Sequence, residues 1–586
     1  MKNRKTWYQK TEYGILIVYF LVMAWIYPFY YTEGYLLIGK DKYLFYRNFS
    51  LFILSILLIV WSVSLITRWP EKEQSVFAML YEQMSATDWF VYGYLLVNLV
   101  SYLGTKYQEE VFWGTEGWFM GMMTQLLLGL FYFFFSRYFH SCEKWFALWL
   151  SGALAVFLLG IMNRYSFYPL SMEGQTPVFI STLGNINWYS GYWSVMCPLA
   201  VMLYWNSHPI WKKAVWSVVC VICFVAGITQ GSSSAFLVLG GIGYVLFYLA
   251  FTDNRGCYAS LELGLLFSIS CQITAVLRYV PGFSYNYESV TGEIMTDYRI
   301  IMVIAVGCAL LWIFLKIAEK KQAFAIAEKR KIRTVCSVAG ILAVVCYLFL
   351  MFKKMDDSFG NGRGASWKSG ILAFQSMNLW QKLFGIGADC YGTYCYSVPE
   401  IKEVLFATFG VSRLANAHNE WLTMLVNLGL FGLFSYAGIF SSAVYRFAKG
   451  SRKNPLLLLC TVGVFSYVLH NMVSFQQILN VPYVFMLLGM GEELLRQGKR
   501  AVSNKITKGK KKNKPASVEI MGQILEYAVA LAVITLGIVV PLYAPEGYHK
   551  IGDAKFDAYR MVVIPGLSLL IVLGILYLIF TIREKQ

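Results

Sequence analysis

Some sixteen stretches of about 20 predominantly apolar residues recur along this chain, and no other feature narrows its fold as much. A helix of that length crosses the ~30 Å hydrocarbon core of a bilayer. In that solvent the backbone must satisfy its own hydrogen bonds, which leaves helices or a closed barrel, and continuous rather than alternating apolarity selects helices. The runs cover approximately 13–31, 49–67, 88–104, 117–136, 145–162, 188–205, 214–229, 234–251, 259–278, 299–317, 334–352, 420–444, 455–472, 478–495, 521–543 and 561–581. Only 14% of the residues are charged, against about a quarter in soluble domains. The expected fold class is all-α: a polytopic integral membrane protein of about 16 transmembrane helices, with a large external loop between residues 353 and 417 containing an amphipathic helix. The opening "MKNRKTWYQK" runs into the first span without a small-residue cleavage site, which reads as a retained anchor. No internal repeat stands out.

The net charge of +17 fits basic loops that orient the spans rather than a surface for nucleic acid. Counting from a basic, cytoplasmic N-terminus, the connections "KIAEKKQAFAIAEKRKIR", "YRFAKGSRKN" and "RQGKRAVSNKITKGKKKNK" all fall on the cytoplasmic side, as the positive-inside rule requires. Both termini are then cytoplasmic. Segments 163–187, 229–234, 279–298 and 353–417 are external. Few charges lie deep in the spans: Glu262 and Glu526 sit near cytoplasmic ends, His470 near an external end, and Asn427 is neutral. That scarcity speaks against an ion-coupled pump. Of twelve cysteines, only Cys390 and Cys395 fall in an external loop, either as a disulfide or as two free thiols. No Cys/His spacing suits zinc, and nothing calls for a cofactor.

Polar chemistry gathers on the outer side. His418, Asn419 and Glu420 stand immediately before an apolar helix carrying Gly429 and Gly432. An imidazole can take a proton from a sugar hydroxyl near neutral pH, with Asn419 or Glu420 fixing its tautomer; the plainer reading is a helix cap facing water. The two glycines suit close helix packing. Upstream, Gly360, Gly362 and Gly364 surround Arg363, leaving the backbone open to a ligand. Trp367, Ile371, Phe374 and Met377 follow at helical spacing, as in an amphipathic helix on the membrane surface. Arg363 would then either fork onto a phosphate or snorkel as an anchor. "GIGADCYG" is a glycine-rich turn, structural or lining a sugar site. "GNINWYSGY", with Asn185 and Asn187, offers amides and aromatic rings for sugar recognition, or a cap and an aromatic belt. The turn "TQGSSSA", with Ser233, offers hydroxyls to a phosphate or to a helix end.

Taken in order, these pieces resemble the O-antigen ligase and polymerase superfamily of bacterial envelope glycosyltransferases. The resemblance covers roughly 180–495, and its most specific part is His418-Asn419 followed by Leu422 and the spaced glycines. It divides the chain into N-terminal helices (1–179), a catalytic core (180–495), a basic cytoplasmic linker (496–516) and a C-terminal transmembrane hairpin (517–586). It implies an inverting, metal-independent transfer on the outer face of the bacterial cytoplasmic membrane. The donor would be a glycan on undecaprenyl diphosphate and the acceptor a glycan or glycolipid hydroxyl. Arg363 would bind the donor diphosphate and His418 would act as general base. Asn185 and Asn187 would shape the site, and Ser233, Trp367, Asn419 and Glu420 complete the candidate substrate-binding set. One departure stands out: Ser233 lies about where the family often has an arginine, leaving Arg164, Arg278 or Arg413 as candidate substitutes. The rival readings are a lipid-linked oligosaccharide flippase or other transporter, which predicts repeats, broken helices and buried charges, and a non-catalytic membrane scaffold.

Overall fold

The structure is a computed structural model, and it describes residues 2–68, 84–251, 254–280, 282–287, 289–320, 330–353 and 356–506. Among the described residues the structure is helical apart from one two-stranded antiparallel ribbon, Phe179–Ile180 (β1) with Gly184–Asn185 (β2). The first six helices are α1 (Lys2–Trp25), α2 (Ile38–Arg68), α3 (Ala86–Gly104), the short α4 (Gln108–Trp113), α5 (Met122–Tyr138) and α6 (Glu143–Arg164). After the ribbon come α7 (Ile186–Asn206), α8 (Ile210–Gln230), α9 (Ser233–Ala250), α10 (Asn254–Leu277), the short α11 (Val290–Thr296), α12 (Tyr298–Lys320) and α13 (Arg330–Lys353). The remaining helices are α14 (Phe359–Ser376), α15 (Leu379–Phe384), α16 (Tyr391–Ser397), α17 (Pro399–Phe409), α18 (Glu420–Ser451), α19 (Leu456–His470) and α20 (Val481–Ile506).

Seven helical segments among the described residues are long and apolar enough to cross a membrane: Tyr8–Phe29, Ile38–Ser64, Glu143–Arg164, Ile210–Gln230, Ser233–Ala250, Arg255–Leu277 and Glu420–Ser451. Each of the first fourteen apolar runs coincides with a helix. The runs 521–543 and 561–581 lie outside the described residues. α7 is buried on all sides from Tyr189 to Tyr204, as is α20 from Val481 to Leu494. A helix apolar all round belongs at the centre of a bundle, and there α7 packs on α19 while α20 packs on α5. Helix ends follow local chemistry. Ser85 and Asp88 form a reciprocal capping box at the start of α3.

Two expectations change. α2 begins at Ile38, eleven residues before its apolar run, and carries Lys42 and Arg47 into the bundle, both buried. Lys42 Nζ donates to the carbonyls of Tyr27 and Pro28 at 2.8 and 2.7 Å, replacing the lost water. In the first turn of α3, Asp88 meets Arg137 at 3.4 Å and Arg496 at 2.6 Å. Tyr132 Oη donates to the same carboxylate at 2.8 Å. These buried charges lie outside the apolar runs or, for Asp88, at the first residue of one. They are placed where polar partners on neighbouring helices offset their desolvation.

The segment 353–417 also holds more than one amphipathic helix: α14 to α17 all lie within it. The stripe read from Trp367 does not define the buried face of α14, since Ile371 points outward, 49% exposed. Small residues set that face instead. Ala365, Ser366, Ser369 and Ala373 are fully buried, and Leu422 packs directly over Gly370.

Candidate functional site

The histidine-bearing stretch folds in a way its composition does not announce. α18 is continuous in hydrogen-bond pattern but breaks at Gly429, where φ is 67° and ψ is −167°. The ring of Trp421 lies 5.7 Å from Tyr436 and 6.2 Å from Phe440. On a straight helix those residues would be about 22 and 28 Å apart. The segment 420–428 therefore doubles back along 430–440 as a re-entrant half-helix, and Gly429 is the turn. Gly432, opposite, has room for no side chain, because a Cβ there would lie 2.1 Å from Cβ of Leu428. Gly429 is thus a backbone requirement rather than a packing residue, and Gly432 is a close-packing one.

The half-helix needs partners for its last carbonyls, and the glycine-rich turn supplies them. Ile386 N donates to Val426 O at 3.3 Å and Gly387 N to Asn427 O at 2.9 Å. A Cβ on Gly385 would sit 2.1 Å from Asn427 O, so only glycine passes. "GIGADCYG" is therefore structural. Asp389 anchors it, accepting from Thr115 N at 2.8 Å and Met120 N at 2.9 Å. Burial pushes the Asp389 carboxyl up to about 7, against the pull of those two amides. Cys390 and Cys395 are both free, buried thiols.

Doubling back takes His418 to the far end of the half-helix, about 16 Å from the Gly429 turn, beside Phe475. His418 adopts a left-handed φ of 49°, and its N–H donates to Asn416 Oδ1 at 3.0 Å. Its imidazole makes no hydrogen bond among the described residues and stands edge-on to Phe475 at 5.1 Å. Burial first, and then the charge of Arg363, lowers its pKa to about 4. The ring is therefore neutral at pH 7 and offers a lone pair.

Arg363 arrives from α14. Its Nε donates to Val473 O at 3.2 Å and its Nη1 to Gly360 O at 3.0 Å. Arg363 and His418 thus meet across one strip of chain, Val473 to Phe475, in the connection between α19 and α20. Gly362 and Gly364 pack against Phe409 and the Asp356 carbonyl, so they do not open the backbone to a ligand.

The other candidates divide. Asn419 is the N-cap of α18, accepting from Leu422 N at 3.1 Å, and Glu420 Oε2 accepts from Gln476 N at 2.7 Å. Neither bonds the imidazole, so neither fixes its tautomer. Asn185 caps α7 by accepting from Asn187 N at 2.8 Å; the Asn187 side chain makes no hydrogen bond among the described residues. Trp367 is a core residue against Phe359. Ser233 is exposed at the start of α9, while its neighbours Ser232 and Ser234 bond each other at 2.9 Å.

Two of the three substitute arginines lie beside that serine turn. Arg164 is fully buried, donates through Nε to Gln230 Oε1 at 3.0 Å, and lies 4.4 Å over the Tyr287 ring. Arg278 lies 4.3 Å over Tyr285, whose hydroxyl donates to Thr229 O at 2.8 Å. Arg413 is exposed over Tyr396 instead. Tyr287 also lies within electrostatic reach of Arg363. A line of cations, Arg278 and Arg164 and then Arg363, thus leads toward His418.

Sequence reasoning missed the strip 471–480. It is buried except around Met472 and Val473, and Trp118 stands 4.8 Å from Phe475 and 6.2 Å from Trp188. The signal was present: the gap between the apolar runs 455–472 and 478–495 reads "VSFQQ", and polar Asn471 and Asn480 flank it inside those runs.

Fold and site together define a helical, multi-span membrane protein with a re-entrant half-helix and a cationic, histidine-bearing site at its far end. Neither a protein-family model nor a curated protein matches this chain.

Proposed function

We propose that this protein is an inverting, metal-independent glycosyltransferase of the O-antigen ligase and polymerase kind. In this reading it spans the bacterial cytoplasmic membrane about 16 times, with both termini cytoplasmic. It moves a glycan from undecaprenyl diphosphate to an acceptor hydroxyl on the outer side, in a polymerase-like role. The observation that carries the reading is the meeting of Arg363 with a neutral His418 at Val473–Phe475.

The chemistry needs little more. The acceptor oxygen bonds the anomeric carbon, and its proton passes to the free imidazole nitrogen. The bond from that carbon to the diphosphate oxygen breaks, and the electron pair leaves on the diphosphate, where Arg363 offsets its charge. Because the Arg363 charge is one cause of the low His418 pKa, pairing Arg363 with a diphosphate makes His418 a stronger base as the donor binds.

The test is complementation of cells lacking this gene with His418→Ala and Arg363→Ala, read by glycan gel profile. Loss of long-chain glycan with each variant at normal membrane abundance is the expected result. Normal profiles with both variants would overturn the assignment at these residues.

One observation favours the flippase reading: a broken helix with buried charges at its end is a transporter feature. The purified protein in vesicles separates the two. Movement of intact lipid-linked glycan without any new linkage supports the flippase.

A further inference from the structure

Two residues past His418, the half-helix opens with Glu420, which is fully buried. Its Oε2 accepts from Gln476 N at 2.7 Å, and its backbone N–H donates to Asn471 O at 2.9 Å. Its Oε1 makes no hydrogen bond among the described residues, and the carboxylate makes no ion pair there. The charge within its electrostatic reach is a second carboxylate, Asp389. A buried carboxylate is offset by a cationic side chain, a proton or a metal ion.

The surroundings of Glu420 are rich in oxygen. Tyr94 from α3, Tyr436 from α18 beyond the Gly429 turn and Tyr467 from α19 are fully buried, and all three lie within electrostatic reach of the carboxylate. The rings of Tyr94 and Tyr436 stand 5.4 Å apart. Tyr94 spends its hydroxyl proton on Gln125 Oε1 at 3.0 Å, which leaves its own lone pairs free to accept. Oη of Tyr436 and of Tyr467, Oε1 of Gln476 and Oδ1 of Asn471 are buried without a hydrogen bond among the described residues. A proton on Glu420 would add one donor to this group. A metal ion serves several of the oxygens at once, because hard cations are bound by carboxylates, amide carbonyls and other oxygens.

We propose that Glu420, Tyr94, Tyr436, Tyr467, Asn471 and Gln476 hold a monovalent metal cation, sodium or potassium. Charge selects it: one carboxylate among neutral oxygens balances a single positive charge, and a divalent ion would leave net charge buried. Among the described residues no group of three or more His, Cys, Asp and Glu side chains is placed to hold a metal ion. Interrupted helices are where membrane proteins bind such cations. The ion ties the start of the half-helix to Asn471 and Gln476, on either side of the Val473–Phe475 strip where Arg363 and His418 meet. It takes no part in bond making, and the site does not rest on the glycosyltransferase reading, because its readout is stability.

Thermal unfolding of the purified full chain in one detergent tests it, at constant ionic strength, with N-methylglucamine replaced stepwise by sodium or by potassium. At least one of the two ions is expected to raise the melting temperature saturably, by roughly 2 °C or more. Glu420→Gln keeps an acceptor for Gln476 N and is expected to fold and to lose that rise. Tyr436→Phe removes one neutral ligand and is expected to need about ten-fold more of the ion for the same rise. Equal melting temperatures in all three salts would overturn the proposal, as would a rise that persists in Glu420→Gln. Stabilisation by calcium alone would also overturn it, since a single carboxylate does not balance that charge.

Discussion

Replacing Gly429 by alanine tests the doubled-back helix through the sign of a stability change. In a straight helix a glycine-to-alanine change stabilises by about 0.5–1 kcal/mol, because alanine has less backbone entropy to lose. At Gly429 the backbone sits at φ 67° and ψ −167°, a region essentially reserved for glycine that costs other residues about 1–3 kcal/mol. The added Cβ would also lie 2.5 Å from the Leu383 carbonyl carbon and oxygen and 2.7 Å from Gly385 N. These are backbone atoms of the segment that caps the half-helix, and they cannot swing aside as a side chain would. Strain and clash together make a loss of roughly 3–5 kcal/mol, at the severe end for a single methyl group. Gly240→Ala is the internal control, since a Cβ there meets nothing within 4 Å; it is expected to be neutral or slightly stabilising. Thermal unfolding of both purified variants in the same detergent gives the comparison. A Gly429→Ala protein as stable as Gly240→Ala would refute the doubled-back geometry and return α18 to a straight rod.

Four further outcomes follow from the same geometry. Cysteines at Trp421 and Phe440, in a background without the native cysteines, are expected to be joined by a short bifunctional thiol reagent, because their rings are 6.2 Å apart rather than the ~28 Å of a straight helix; failure to cross-link in the folded protein counts against it. Asp389 titrates near 7 when folded and near its usual value, about 4, when unfolded. The folded state thus holds the proton more tightly, and the associated stability is full below about pH 4 and is lost as pH rises toward 7. Wild type is therefore expected to lose more melting temperature between about pH 5 and pH 8 than Asp389→Asn, which keeps an acceptor for Thr115 and Met120. In the proposed enzyme the acid limb of kcat/KM is expected near pH 4, and to move upward in Arg363→Gln as the neighbouring charge is removed; an unmoved limb would separate the two residues. Glu420→Leu, which orphans the Gln476 amide, is expected to destabilise by about 1–3 kcal/mol, and Glu420→Gln by less, as read by thermal unfolding.

Much of this protein was legible without coordinates. Helix class and the positions of the fourteen testable apolar runs follow from continuous apolarity, because a bilayer permits few other backbones. The pairing of Arg363 with His418 was approachable, since each is a rare charged or titratable group on one side of the predicted topology. The run 416–434 hid its own fold. Apolar content reads the same whether a helix crosses or doubles back, and the difference rests on one backbone torsion at Gly429 and two amides from a turn some 40 residues upstream. Asn419, Glu420 and Trp367 carried the right chemistry for a site, but tertiary packing gave them a cap, a strut and a core position. Composition sets what must leave water, and so the chain alone determined that these segments are helices facing lipid or one another. Which polar groups end up facing a common space depends on contacts between distant segments. Only the folded bundle could decide that Arg363 and His418 share Val473 and Phe475, and that Arg164 and Arg278, not Arg413, stand beside the serine turn.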